Sequence, residues 1–211
     1  MSPETPVTFL VHVFAAFFAI MNPVANSSIF ISLTKEMDSG KRRMVAIKSC
    51  LITFIIISVF IVGGETILKM FGITVDAFRI AGGIIIFFIG YNMLQGRNSP
   101  IHTLNDKQMD EEKNAEQIAF SPLAMPILAG PGAIAVAIGF AADANAVRVI
   151  GIMTVFGLMC VITALSFMLS DRLVKLVGEN GISILTRSTG LILAVIAVQM
   201  GFDGVHGLMN P

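Results

Sequence analysis

Charge is what this sequence lacks most. Its 211 residues carry 14 Lys and Arg against 14 Asp and Glu, 13% in all, while 55% are hydrophobic and the mean hydropathy is +0.83. A soluble globule carries roughly a quarter charged residues, so this chain cannot cover a water-facing surface and its solvent is lipid. A net charge of zero supplies no basic field for nucleic acid, which we exclude as a partner. Trp is absent and Tyr91 is the single tyrosine, so the usual interfacial aromatic belt is missing; 16 Phe and 13 Met suit a helical membrane interior. Cys50 and Cys160 both fall in or beside apolar runs, as small packing residues rather than a disulfide framework.

Chemistry is equally sparse. No G-x-x-x-x-G-K-[ST] and no strand-borne G-x-G-x-x-G occurs, so no ATP-driven pump is encoded. His12, His102 and His206 are scattered without metal-ligand spacing, and no H-E-x-x-H or G-x-S-x-G appears. We therefore expect no enzyme, no cofactor and no bound metal. No Lys or Arg precedes the first apolar run, unlike a secretory signal peptide, so that run reads as a retained span.

What is present is long apolar runs. A bilayer core of roughly 30 Å needs about 20 apolar residues in a helix. Six stretches qualify, at about 7–33, 44–63, 77–94, 118–142, 148–169 and 183–202. The polar stretch 97–117 joins spans three and four and should be solvated. Orientation follows from Lys and Arg counts. The connections after spans one, three and five hold eleven, from Lys35 to Arg187, against three (Lys69, Arg79 and Arg148) on the other side. That places the first group in the cytoplasm and both termini outside, in a multi-pass protein of the cell inner (plasma) membrane.

Shifted by 108 positions, the two halves superpose without a gap. Pro23 falls on Pro131, Arg79 on Arg187, Gly82 on Gly190 and Gly96 on Gly204. Three spans per half force the second half to cross in the opposite sense. The expected fold is all-α and polytopic: six transmembrane helices as two inverted three-helix repeats, the first helix of each broken. It forms a single transmembrane domain over 1–211, with repeat one at about 7–96, a cytoplasmic linker at 97–117 and repeat two at about 118–205. Many secondary transporters are built this way.

Both first spans carry helix breakers near their middle: FFAIMNPVANSSIFISLT in one, SPLAMPILAGPGAIAVAIG in the other. Pro23 removes a backbone donor, leaves a carbonyl near position 19 without its partner, and should push residue 22 toward extended geometry. Unpaired backbone at mid-membrane costs several kcal/mol per group against lipid, so paired breaks imply one central wet cavity. Restarting half-helices offer N–H groups and a positive dipole end, and Asn22, Asn26, Ser27 and Ser28 add neutral donors and acceptors. A small anionic or zwitterionic solute, such as an amino acid, is the expected guest. The candidate substrate residues are Asn22, Pro23, Asn26, Ser27, Ser28, Gly130, Pro131 and Gly132. Ala129, Ala133, Ala137 and Ala141 recur every four residues as a helix-packing face. Arg79 and Arg187 lie about a turn inside opposite faces, either snorkelling to headgroups or gating a cavity. Glu65, Asp76, Asp143, Asp171 and Asp203 all sit near span ends, Glu65 being the most inward, so proton coupling is not assigned. Self-association into a homo-oligomer is compatible with the pattern.

The segments NPVANSSIFISLT at 22–34, FGITVDAFRIAGG at 71–83, PLAMPILAGPGAIA at 122–135 and TRSTGLIL at 186–193, in this order and spacing, resemble the MarC family of six-span bacterial and archaeal membrane proteins. The match runs from about residue 8 to 205. The resemblance implies a two-times-three inverted repeat in a family classed with neutral amino-acid transporters and long associated with multiple antibiotic resistance. It also implies that Asn22, Pro23, Gly130, Pro131 and Gly132 fall on the broken-helix motifs around the substrate region. We expect a secondary transporter of a small polar or zwitterionic metabolite, glycine or alanine for example; the rival is a non-transporting membrane scaffold or envelope stress-related protein.

Overall fold

In the computed structural model, which describes residues 5–96, 115–142 and 144–209, every regular element is helical. Asp143 and most of the 97–117 stretch therefore lie outside the described residues. The chain runs through α1 (Pro6–Met21), α2 (Pro23–Leu33), α3 (Ser39–Met70), α4 (Val75–Leu94) and the single turn α5 (Ala115–Ile118). A π-helical stretch (Ala119–Leu128) follows, then α6 (Pro131–Ala141), α7 (Ala146–Met168) and α8 (Ser170–Met209).

Helix starts follow the capping rule. Asp38, Thr74 and Asn145 each accept a hydrogen bond on the side chain from the backbone N–H three residues on, at Lys41, Ala77 and Arg148. Among the described residues, five stretches are long and apolar enough to cross a bilayer, with α1 and α2 counted as one. α6 is a shorter apolar helix of 11 residues, roughly 16 Å of rise, which together with the π-helical stretch makes up span four.

Lipid-facing residues are spaced at helical period. Leu51, Ile55, Val59 and Val62 are exposed along one side of α3, while Ile57, Ile61 and Leu68 are buried on the other. Leu191, Val195, Val198 and Phe202 do the same on α8. With no water to satisfy them, buried hydroxyls turn back on their own helices: Thr53 donates to Ser49 O, Thr163 to Met159 O and Thr189 to Leu185 O.

The halves contact one another in matched pairs. α4 packs most extensively on α8, and α3 packs on α7; α2 touches α8 as α6 touches α4, and α1 touches α7 as the π-helical stretch touches α3. The α4–α8 register is antiparallel: Gly83 lies against Ala197 and Gly201, Gly90 against Gly190 and Ala194. The residues that the 108 shift equates meet across this pair with roles exchanged. Gly204 lies against Arg79 at one end, and Gly96 lies against Arg187 at the other. Cys50 and Cys160 are buried free thiols.

Two elements differ from the sequence expectation. Span six, expected at 183–202, belongs to a helix that already begins at Ser170 and turns at Gly178 (φ 68, ψ 165). Span two, expected at 44–63, extends to Ser39–Met70, roughly 48 Å, and so runs beyond the hydrocarbon core. In both cases the added turns are too polar to register in an apolar-run count.

Candidate functional site at the paired helix breaks

The first break is at Asn22, held in the left-handed region (φ 35, ψ 67). This corrects the expectation of extended geometry. Asn is among the few residue types that enter this region readily, and there its N–H still closes on Phe18 O at 2.9 Å. One turn on, Asn26 Nδ2 donates to Met21 O at 2.7 Å, satisfying a carbonyl that the break would otherwise leave bare in lipid. Ser27 Oγ lies 2.8 Å from Pro23 O and 3.2 Å from Ser166 O on α7. Asn22, Pro23, Asn26 and Ser27 are buried, and Ser28 is half-buried. Nearby, Phe30 stacks on Phe167 with ring centroids 4.7 Å apart, fixing α2 against α7.

The second break obeys the rule that the residue before proline is extended. Ser121 (φ −135, ψ 121) precedes Pro122, Met125 (φ −131, ψ 126) precedes Pro126, and Gly130 (φ −73, ψ 172) precedes Pro131. The helix between widens, with Ala129 N–H reaching back five residues to Ala124 O at 2.8 Å. Gly130 and Gly132 are buried, whereas Pro131 is exposed. Of the alanine stripe, Ala129, Ala133 and Ala137 are buried and Ala141 is half-buried, but Ala135, Val136 and Ile138 on the other sides of α6 are buried as well.

The two breaks adjoin. A Cβ on Gly132 would stand 2.8 Å from Ile20 Cδ1, two residues before the first break, and 2.7 Å from Ile89 Cδ1 on α4. This junction is packed. A shallow, largely open depression of about 440 Å³ lies beside Glu116, Gln117, Phe120 and Ser121, where the π-helical stretch begins.

Arg79 Nη1 lies 3.1 Å from Asp76 Oδ1, a pairing legible in the i,i+3 spacing. Arg187 sits at the opposite end of the α4–α8 pair, and neither arginine is among the residues that form the break junction. Sequence reasoning did not anticipate Met21 O and Ser166 O as partners, because they are backbone carbonyls and carry no residue-type signal. Ser58, which the 108 shift sets on Ser166, has a buried hydroxyl that makes no hydrogen bond among the described residues. No group of three or more metal-ligating side chains occurs among the described residues.

Charged contacts gather the expected loops on one face. Arg42 Nη1 bonds Asp171 Oδ2 at 2.8 Å and Nη2 bonds Ser170 Oγ at 3.3 Å, joining the connections after spans one and five. Lys48 pairs with Glu116, bringing in the connection after span three. On the other face Arg148 lies over the Phe9 ring at 5.0 Å, and Phe9 meets Phe140 edge-on.

The family model described as MarC family integral membrane protein matches residues 7–209. The chain is 37% identical over 206 residues to the UPF0056 membrane protein YvbG of Bacillus subtilis (strain 168), covering 95% of this chain and 96% of that one. It is 36% identical to the UPF0056 membrane protein MJ1677 of Methanocaldococcus jannaschii, covering 95% and 98%. It is 33% identical to the UPF0056 inner membrane protein MarC of Escherichia coli (strain SMS-3-5 / SECEC), covering 88% and 89%. No solved structure matches. The chain belongs to the MarC family and is an integral, multi-pass membrane protein.

Proposed function

We propose that this MarC-family chain is a secondary transporter of a small polar or zwitterionic metabolite, with glycine or alanine the best-fitting substrates, in the plasma membrane with both termini outside. The observation that carries the reading is the pair of helix breaks at positions equated by the 108 shift, Asn22–Pro23 and Gly130–Pro131, adjoining through Ile20 and Gly132. Interrupted helices in an inverted repeat are a recurrent transporter device, and broken backbone at membrane depth persists only where protein or an aqueous guest supplies partners. The substrate region comprises Asn22, Pro23, Asn26, Ser27, Ser28, Gly130, Pro131 and Gly132, with Arg79 and Arg187 as end anchors.

The packed junction suits a closed stage of the cycle. Asn22 is left-handed while Gly130, its repeat equivalent, is extended. Alternation between the halves would exchange these two conformations. Asn and Gly are the residue types that enter both regions most easily, and proline keeps either position from closing into a continuous helix.

The test is uptake of labelled glycine and alanine by proteoliposomes, with and without an ion gradient. Gly130→Ala keeps the observed extended backbone but penalises the left-handed one by roughly 1–2 kcal/mol. It should slow uptake about tenfold, with melting in detergent measured alongside as the control for folding. Absence of uptake of any small amino acid by folded wild type would favour the scaffold reading. The engagement of Asn26 Nδ2 and Ser27 Oγ with protein carbonyls is what supports that rival.

A further inference from the structure

Between α7 and the membrane-spanning part of α8 lies a helical segment that the sixth span does not need. It runs from Ser170 to the turn at Gly178, whose φ of 68° and ψ of 165° form a combination essentially confined to glycine. A Cβ there would meet nothing within 4 Å, so backbone conformation rather than crowding calls for glycine. Ser170 and Asp171 are tied to Arg42 at the start of α3, which fixes the segment to the face that carries most of the Lys and Arg.

At 100° per residue, Leu173, Val174, Leu176 and Val177 fall on one side of this segment, and Asp171, Arg172 and Lys175 on the other. Leu173, Val174 and Val177 are half-buried against the protein, while Leu176 is 86% exposed and is the one apolar side chain of the segment left uncovered by it. Arg172 and Lys175 are exposed and make no ion pair among the described residues. Asp171 is engaged by Arg42 and so does not neutralise them; Glu179 lies beyond the turn. Arg43 adds another exposed cation on the same face. With its other apolar residues on the protein, a helix at the membrane interface directs Leu176 toward the acyl chains and its basic residues to headgroup phosphates.

We propose that Ser170–Val177 is an interfacial anchor that seats Leu176 among lipid chains and binds anionic phospholipid headgroups through Arg172 and Lys175. The assignment is independent of what the protein transports. It is tested on the full chain carrying Leu176→Cys with an environment-sensitive fluorophore, selective because Cys50 and Cys160 are buried. The labelled protein is placed in phosphatidylcholine vesicles containing a lipid-chain quencher, and short-chain phosphatidylglycerol is titrated separately onto detergent-solubilised protein, with phosphatidylcholine as control. The label should be quenched. Phosphatidylglycerol should bind saturably, and the R172Q/K175Q double variant should bind it about 25-fold more weakly, roughly fivefold per basic side chain, without a change in melting in phosphatidylcholine. A label left in water, or a double variant that binds phosphatidylglycerol like wild type, overturns the proposal. Gly178→Ala provides a second arm: it should disfavour the turn and weaken quenching at position 176, and quenching unaffected by it also counts against the anchor.

Discussion

Replacing Gly190 with alanine probes the contact on which the two halves turn. A Cβ there would stand 2.7 Å from Met93 Cβ, 2.8 Å from Gly90 O and 3.0 Å from Leu94 N; on Gly90 it would stand 2.7 Å from Gly190 O and 2.9 Å from Ala194 N. Most of these obstacles are backbone atoms of the facing helix, so no rotamer change relieves them. α4 and α8 would have to part by about half an ångström or more, by the scale of small-residue helix contacts. Overpacking of this kind costs about 1–3 kcal/mol, offset by up to about 1 kcal/mol of helix propensity gained when alanine replaces glycine. The expected net loss for Gly190→Ala therefore lies between about 0 and 3 kcal/mol. The Gly90→Ala/Gly190→Ala pair should lose less than the sum of the singles, because one separation accommodates both methyl groups. Gly201→Ala on the same helix is the control: nothing lies within 4 Å of its Cβ, so it should be neutral or stabilising. Equilibrium unfolding in mixed micelles, followed by circular dichroism, measures all four. Equal losses at 190 and 201, or strict additivity at 90 and 190, would refute close backbone approach as the cause.

The remaining expectations use the same measurement unless stated. Asn22→Gly should keep stability, whereas Asn22→Val should lose about 1–2 kcal/mol, because a β-branched residue resists φ of 35°. Asn26→Leu should lose about 1–3 kcal/mol, as Met21 O is left without its side-chain donor; an unchanged melting temperature would show that the carbonyl finds another partner. Ser58→Ala should be neutral or stabilising, since its buried hydroxyl has no hydrogen bond to lose among the described residues. On the face that gathers most of the Lys and Arg, hydrogen bonding and charge from Lys48 hold the Glu116 carboxyl below the usual glutamate range. The bridge should therefore persist at neutral pH and break only as pH falls through that lowered value; Lys48→Gln should return Glu116 to the ordinary range in a carboxyl NMR titration.

How much of this was readable beforehand depended on whether a signal lived in residue type or in a backbone partner. The spans were legible because lipid tolerates few charges over 20 residues, and the breaks were legible because proline has no N–H to donate. Ser121, Met125 and Gly130 follow the pre-proline rule and Asn22 does not. A local rule weighs only steric conflict. It does not weigh Asn26 reaching back to Met21 O, nor the tolerance of asparagine for the left-handed region. The start of α8 was hidden for a different reason. Asp171 and Arg172 end the apolar run, and a two-turn surface helix has too few residues to show a period against that background. The packed junction was also illegible: composition around the breaks suggested an open cavity, but Ile20 and Ile89 close over Gly132, and nothing in their spacing marks them as neighbours.

The weight carried by the repeat rests on rare residues rather than on the apolar background. Had the matches at 108 been chance, Arg79 and Arg187 need not have met the glycines that the same shift relates. Gly204 nevertheless lies against Arg79 Cβ while Gly96 lies against the Arg187 guanidinium, the same residue pairing with the helices exchanged. A shift that pairs sequence positions also pairs contacts, as a two-fold relation between α4 and α8 demands. The breaks depart from that relation in conformation while keeping it in position. Asn22 and Gly130 occupy equivalent sites before equivalent prolines, yet one is left-handed and the other extended. Under the proposed alternation between two-fold-related arrangements, the halves are unequal in each arrangement and exchange these two backbone conformations. If both halves always held the same geometry at these two positions, the breaks would be structural kinks, and Gly130→Ala would leave uptake untouched.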